Sequence, residues 1–285
     1  MHTAAHTTAH TTAHTTRHGV APASLTRIVA LHQSRDVMRK RWVIAYAAAL
    51  TITGFLLLHL AGSGPSALVS LLNIVLLLVP LIALILGTAS LYGAREFTEL
   101  LLVQPIPRRA LFAGLYLGLT LPLIGATVGG IALPFLLTRA IDASTAPILA
   151  MLICVSALLV AVFTALAFVI TVRVQDRARG LAAAIAVWLA MGVLYDAVVL
   201  ALATALRDWP IERAMLAAMA INPIDLARTI LLLRLDVAAL MGYTGAVFRM
   251  AFGTTSGLAV AFAALTAWIV VPWWIGARAF DRRDF

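Results

Sequence analysis

Few side chains in this sequence combine a reactive type with an unusual setting. Asp196, next to Tyr195, is the one carboxylate inside a long apolar run. Placing such a group in a bilayer costs about 2.5–3.5 kcal/mol on insertion scales. It is therefore either a functional group or one satisfied by a neighbouring helix or by water near the interface. Met151 and Cys154 stand one helical turn apart and offer soft sulfur to copper(I), although both residue types also serve as plain packing. Met215 and Met219 pose the same choice, and His59, at the end of an apolar run, reads as a polar tip at the interface. At the start of the chain His2, His6, His10, His14 and His18 recur every four residues. On a helix they would stack as metal-sharing imidazoles. Threonine is a poor helix former, however, and residues 1–24 are expected to be a disordered, low-complexity cytoplasmic extension rather than a metal site.

Enzymatic chemistry finds little support. Lys40 is the only lysine and has no glycine-rich turn before it, so a phosphate-cradling P-loop cannot form. Neither an HExxH zinc motif nor a GxSxG elbow occurs. A single cysteine, Cys154, excludes an internal disulfide framework. The chain reads as a non-enzyme, with no cofactor of its own.

The elements that would position these groups are membrane helices. The chain is 62% hydrophobic and 12% charged, against about 45–50% and about 25% for a soluble domain. Runs long enough to cross a bilayer, about 20 apolar residues each, fall at 42–60, 67–93, 110–137, 148–172, 181–206 and 257–277. The expected fold is thus all-α and integral to the membrane, with six spans. No cleavable signal is visible, and the first span is expected to act as the targeting signal. The net charge of +9 is scattered between the spans rather than gathered in a stripe, which argues against nucleic acid. Of the 21 Lys and Arg residues, 15 fall on the side holding both termini and 6 on the other. That bias places both termini in the cytoplasm of a bacterial inner-membrane protein.

Three inter-span segments are more informative than the spans. Residues 25–41 alternate Leu25, Ile28, Val29, Leu31 and Val37 with basic residues, as in an amphipathic helix running along the inner membrane surface into the first span. The loop from Arg95 to Arg109 reads as a short amphipathic helix: Glu96 and Glu99 share one face, Phe97, Leu100 and Leu101 another, and Pro105 and Pro107 stop it. Its apolar side suits docking. In the long outer segment, Asn222-Pro223-Ile224-Asp225 reads as a break followed by a helix start. Residues 229–240 are too short and too charged to cross, and are expected as an interfacial or re-entrant helix, with short helices on the outer rim. The glycines of 241–245 mark a turn.

With these residues in view, the sequence resembles the ABC-2 class of ABC-transporter permeases. The loop matches that class's docking pattern through Arg95, Glu96, Thr98, Glu99, Leu100, Leu101, Pro105, Ile106, Arg108 and Arg109, with Phe97 where a glycine is usual. Within the class it is similar to the NosY-like permeases of NosDFY systems, through 95–105, 222–225 and 236–248. That resemblance implies a homodimer, a cytoplasmic NosF-like ATPase carrying ATP and Mg, and a periplasmic NosD-like copper-handling protein serving nitrous oxide reductase. It further implies that Arg95–Arg109 is the ATPase-coupling helix and that Asn222, Pro223, Asp225, Met241 and Tyr243 face the periplasmic partner. A generic ABC-2 exporter of lipid, glycan or drug, or an ion-coupled carrier using Asp196, are the alternatives.

Overall fold

The computed structural model describes residues 22–61, 65–95, 107–205, 221–234 and 255–282. The described residues are helical, as α1 (Pro22–Arg39), α2 (Arg41–Ala61), α3 (Pro65–Gly93), α4 (Arg108–Leu137), α5 (Thr145–Arg173), α6 (Arg177–Leu189), α7 (Tyr195–Ala205), α8 (Pro223–Arg234) and α9 (Thr255–Asp281). A π-helical turn, Ala190–Leu194, joins α6 to α7 into one long rod. Six stretches are long and apolar enough to cross a membrane: 41–60, 67–93, 108–137, 145–173, 177–202 and 257–281. They match the runs expected from the sequence to within a few residues, and the chain is a multi-pass helical membrane protein. The ends of α3, α5 and α9 and the starts of α1, α4 and α6 share one face, here called the basic face.

Burial ranks the spans. In α5, 61% of the spanning window is buried inside the chain, against none of it in 177–202. So α5 is the hub, touching α3, α4 and α9, and α6–α7 offers its surface to lipid or to another chain. Aromatic rings knit the hub near the basic face. Phe112 meets Phe168, Trp273 and Phe280 with centroids 5.1, 5.9 and 5.6 Å apart.

The N-terminal helix does not lie apart from the bundle. Thr26 donates to the Ala110 carbonyl, Val29 sits over Gly114, Gln33 over Gly118, and Leu50 over Gly130. Tyr46 and Thr127 share a hydrogen bond of 2.8 Å. These pairs climb α4 in chain order, so α1 and α2, broken at Lys40, run parallel to α4 along most of its length. The sequence pattern anticipates a helix lying along the membrane surface; the structure instead packs α1 against a span. Small residues four apart, Gly114 and Gly118, are what permits so close an approach. A Cβ at Gly118 would stand 2.6 Å from that of Gln33.

Opposite the basic face, α4 and α5 are joined by a tight turn. Asp142 Oδ1 accepts from the backbone N–H groups of Ser144 and Thr145 and from both hydroxyls, at 2.7–2.9 Å. These bonds, that from the Ser144 hydroxyl first, hold the Asp142 carboxyl at about 2, below its ordinary value. The turn is thereby a cap for the first turn of the hub helix.

Candidate functional site

Two places in the fold concentrate polar order. The first is buried. Helix α8 begins at Pro223, whose missing N–H costs nothing in the first turn. Asn222 precedes it, and its Oδ1 accepts from the Ile224 N–H at 3.0 Å. The same side chain donates through Nδ2 to the Met191 carbonyl at 2.7 Å. Met191 belongs to the π-helical turn, where the shifted backbone pairing leaves room for an outside donor. Six residues on, Arg228 Nη1 donates to Asp196 Oδ2 at 2.7 Å and to Asp225 Oδ1 at 3.3 Å. Asn222 also reaches Asp225 Oδ2, at 3.3 Å.

This register sets the depth of α8. Met191 lies at the middle of the rod 177–205, and Asp196 lies further from the basic face. Helix α8 therefore starts at mid-depth, is tied to α7 through Arg228, and packs on α5, α9 and α3. Ile224, Leu226, Ala227, Ile230 and Leu231 are all fully buried, as a helix apolar nearly all round must be. Of the two readings of 229–240, the described part 229–234 follows the re-entrant one, while the expectation of a helix on the outer rim fails for the start at 223, because this apolar surface finds its partner between the spans. Asn222, Pro223 and Asp225 are likewise not free to face a second protein: they are buried and, in the case of Asn222 and Asp225, committed to the internal network. Met241 and Tyr243 lie outside the described residues. Asp196 has its neutralising partner on another helix, the second of the two alternatives open from sequence.

The second place is the basic face, at the two ends of the loop read as a docking helix. Glu96, Phe97, Glu99, Leu100 and Leu101 lie outside the described residues, but both flanks are described. Tyr92 donates to the Val174 carbonyl at 2.7 Å and Arg95 to the Gln175 carbonyl at 3.4 Å. On the other flank Arg108 Nη1 donates to the Asp281 carbonyl at 3.1 Å, and Arg109 Nε pairs with Asp281 Oδ2 at 2.8 Å. One flank is thus tied to the α5–α6 junction and the other to the end of α9. The first tie explains Gly180, because a Cβ there would overlap the Tyr92 hydroxyl.

Among the described residues, the candidate sulfur ligands are not drawn together with other donors. Met151 packs against the core from a half-buried position, while Cys154 is exposed on the surface of α5. His59 lines a polar pocket of 340 Å³ with Arg139. His2, His6, His10, His14, His18, Met215 and Met219 lie outside the described residues. The signal that sequence reasoning missed is Arg228, which reads as one more loop arginine until α8 is seen to be buried.

A six-span helical bundle with a re-entrant half-helix and a loop braced at both ends is the architecture of a transporter's membrane subunit, and the chain belongs to the ABC-2 family of transporter proteins, whose model matches residues 27–285. An ABC permease of this kind is not an enzyme; it implies an ATPase partner. Among curated proteins, the chain is similar to the "Probable ABC transporter permease protein NosY" of Pseudomonas aeruginosa, with 30% identity across 87% of this chain and 93% of that one. The protein of the same name from Stutzerimonas stutzeri is 27% identical over 90% of this chain and 97% of its own length.

Proposed function

We propose that this chain is a NosY-like permease whose 95–109 loop receives the movement of a NosF-like ATPase on the cytoplasmic face and passes it to a periplasmic, NosD-like copper-handling partner. On this reading the basic face is cytoplasmic, both termini are inside, and two copies form the permease. The observation that carries it is the bracing of the loop. A push that reaches the flanks of the loop passes through Tyr92 and Arg95 to the α5–α6 junction and through Arg108 and Arg109 to α9. The fifth span in turn holds α8 through Asn222 and Arg228, so that displacement reaches the outer half of the bundle.

Mechanical relay, or export of a sulfur species, fits the chain better than copper conduction, since Met151 is half-buried against the core while Cys154 is exposed on α5. The test is purification from the native host in mild detergent, with wild type compared against Phe97→Asp. An ATPase and a periplasmic copper-binding protein should accompany the wild type, and the ATPase alone should be lost from the variant. Absence of an ATPase from both preparations would sink the reading; an ATPase without a copper-binding protein would leave a generic exporter.

A further inference from the structure

A groove of 390 Å³ runs along the outside of the bundle between α5 and α9, with one end at the basic face. Its α9 wall is the stripe Ala264, Ala267, Trp268, Val271 and Ile275, with Pro272 beside it. These residues follow helical spacing and extend about 16 Å at 1.5 Å per residue. That is about half of the roughly 30 Å hydrocarbon core, the depth of one leaflet. The α5 wall is Leu166 and Val169, and it ends in Arg173.

Arg173 is therefore the sole charge on an otherwise apolar groove, and it stands at the end on the basic face. Among the described residues no carboxylate pairs with it. The same end of α9 carries Trp274 with the Arg278 guanidinium 3.3 Å above its ring, an arrangement that marks the membrane–water boundary. Length, apolar lining and the position of the cation all match a single lipid molecule. We propose that this groove holds one acyl chain of an anionic phospholipid from the leaflet at the basic face, its phosphate against Arg173. Such a lipid would brace α9 just before Asp281, the anchor of the loop's second flank. The proposal stands on the groove itself and does not depend on the copper-handling reading.

The test uses the full chain in nanodiscs of one fixed mixture of phosphatidylglycerol and phosphatidylcholine, with dibrominated chains on one lipid or the other. Bromine quenches tryptophan on contact, and the Trp268 signal is the difference between wild type and Trp268→Phe. Quenching of Trp268 should favour brominated phosphatidylglycerol by about fivefold, the preference one arginine near the headgroups confers. Arg173→Gln should bring the ratio to about one, with Trp268 still quenched by either lipid and the melting temperature unchanged. Equal quenching by both lipids in wild type, or a preference that survives Arg173→Gln, would overturn the proposal. So would the absence of any Trp268 quenching, which would mean that a helix of a second copy or another protein fills the groove.

Discussion

Replacing Arg228 by methionine keeps the length of the side chain and removes the one cation between Asp196 and Asp225. Opposite charges about 4 Å apart attract by about 4 kcal/mol at an effective dielectric of about 20. Arg228 contacts Asp196 at 2.7 Å and Asp225 at 3.3 Å, but the side chains of Arg228 and Asp196 retain 33% and 38% of their exposure. Discounting both contacts for that exposure leaves an expected loss of about 2–3 kcal/mol. This is just below the range of about 3–5 kcal/mol for breaking a fully buried pair. For a chain of this size it corresponds to a fall of about 5–10 °C in Tm. Tryptophan fluorescence during heating in detergent measures it. Most of the cost arises from two carboxylates left facing each other, so Asp225→Asn combined with Arg228→Met should recover more than half. The reasoning is refuted if Arg228→Met shifts Tm by less than about 1 °C, well under the expected fall, or if the added Asp225→Asn recovers nothing.

Gly180→Ala should push the Tyr92 ring off the Val174 carbonyl, cost about 1 kcal/mol for the lost hydrogen bond, and weaken stimulation of the partner ATPase; a stimulated rate equal to wild type would contradict the bracing of the loop. Asp281→Asn removes an ion pair whose arginine is 78% exposed, so Tm should move by under about 1 kcal/mol equivalent while the same stimulation falls. Gly118→Val should force α1 away from α4 and lower stability by about 1–3 kcal/mol through overpacking, read as the shift in Tm. Asp142 titrates at about 2 in the fold against an ordinary 3.8. Its stabilisation is therefore complete above the ordinary carboxylate value and is lost as pH falls through 2. The Tm difference between wild type and Asp142→Ala should be constant near neutrality and shrink below about pH 4.

The spans were legible because each is a plain compositional fact: about twenty apolar residues have few other places to go. The start of α8 was legible too, since Asn222 and Pro223 are local signals that act within one turn. What could not be read was where α8 goes. Its burial depends on a gap between α3, α5 and α9 that no local pattern encodes, and the partner of Asp196 lies 32 residues away in sequence. The π-helical turn gave no warning, as Ala190-Met191-Gly192-Val193-Leu194 has the composition of any membrane helix. For α1 the helix was legible, but not its buried side: Val29 and Gln33 meet glycines of α4 and Val37 is buried, while Ile28 and Leu31 stay exposed.

The π-helical turn has a consequence for how the fifth span can vary. Each residue of an α-helix turns the chain by about 100°, and a π-turn accommodates one residue more than the α-helix would. Removing one residue from 190–194 would thus leave a regular helix with Asp196 at nearly its present angle, whereas winding all five residues as regular α-helix would swing Asp196 about a quarter-turn away from Arg228. At the same stroke the Met191 carbonyl would close onto its own helix and release Asn222. The rod 177–205 is in this sense keyed: its length serves the bilayer, while its one surplus residue opens the carbonyl from which α8 hangs.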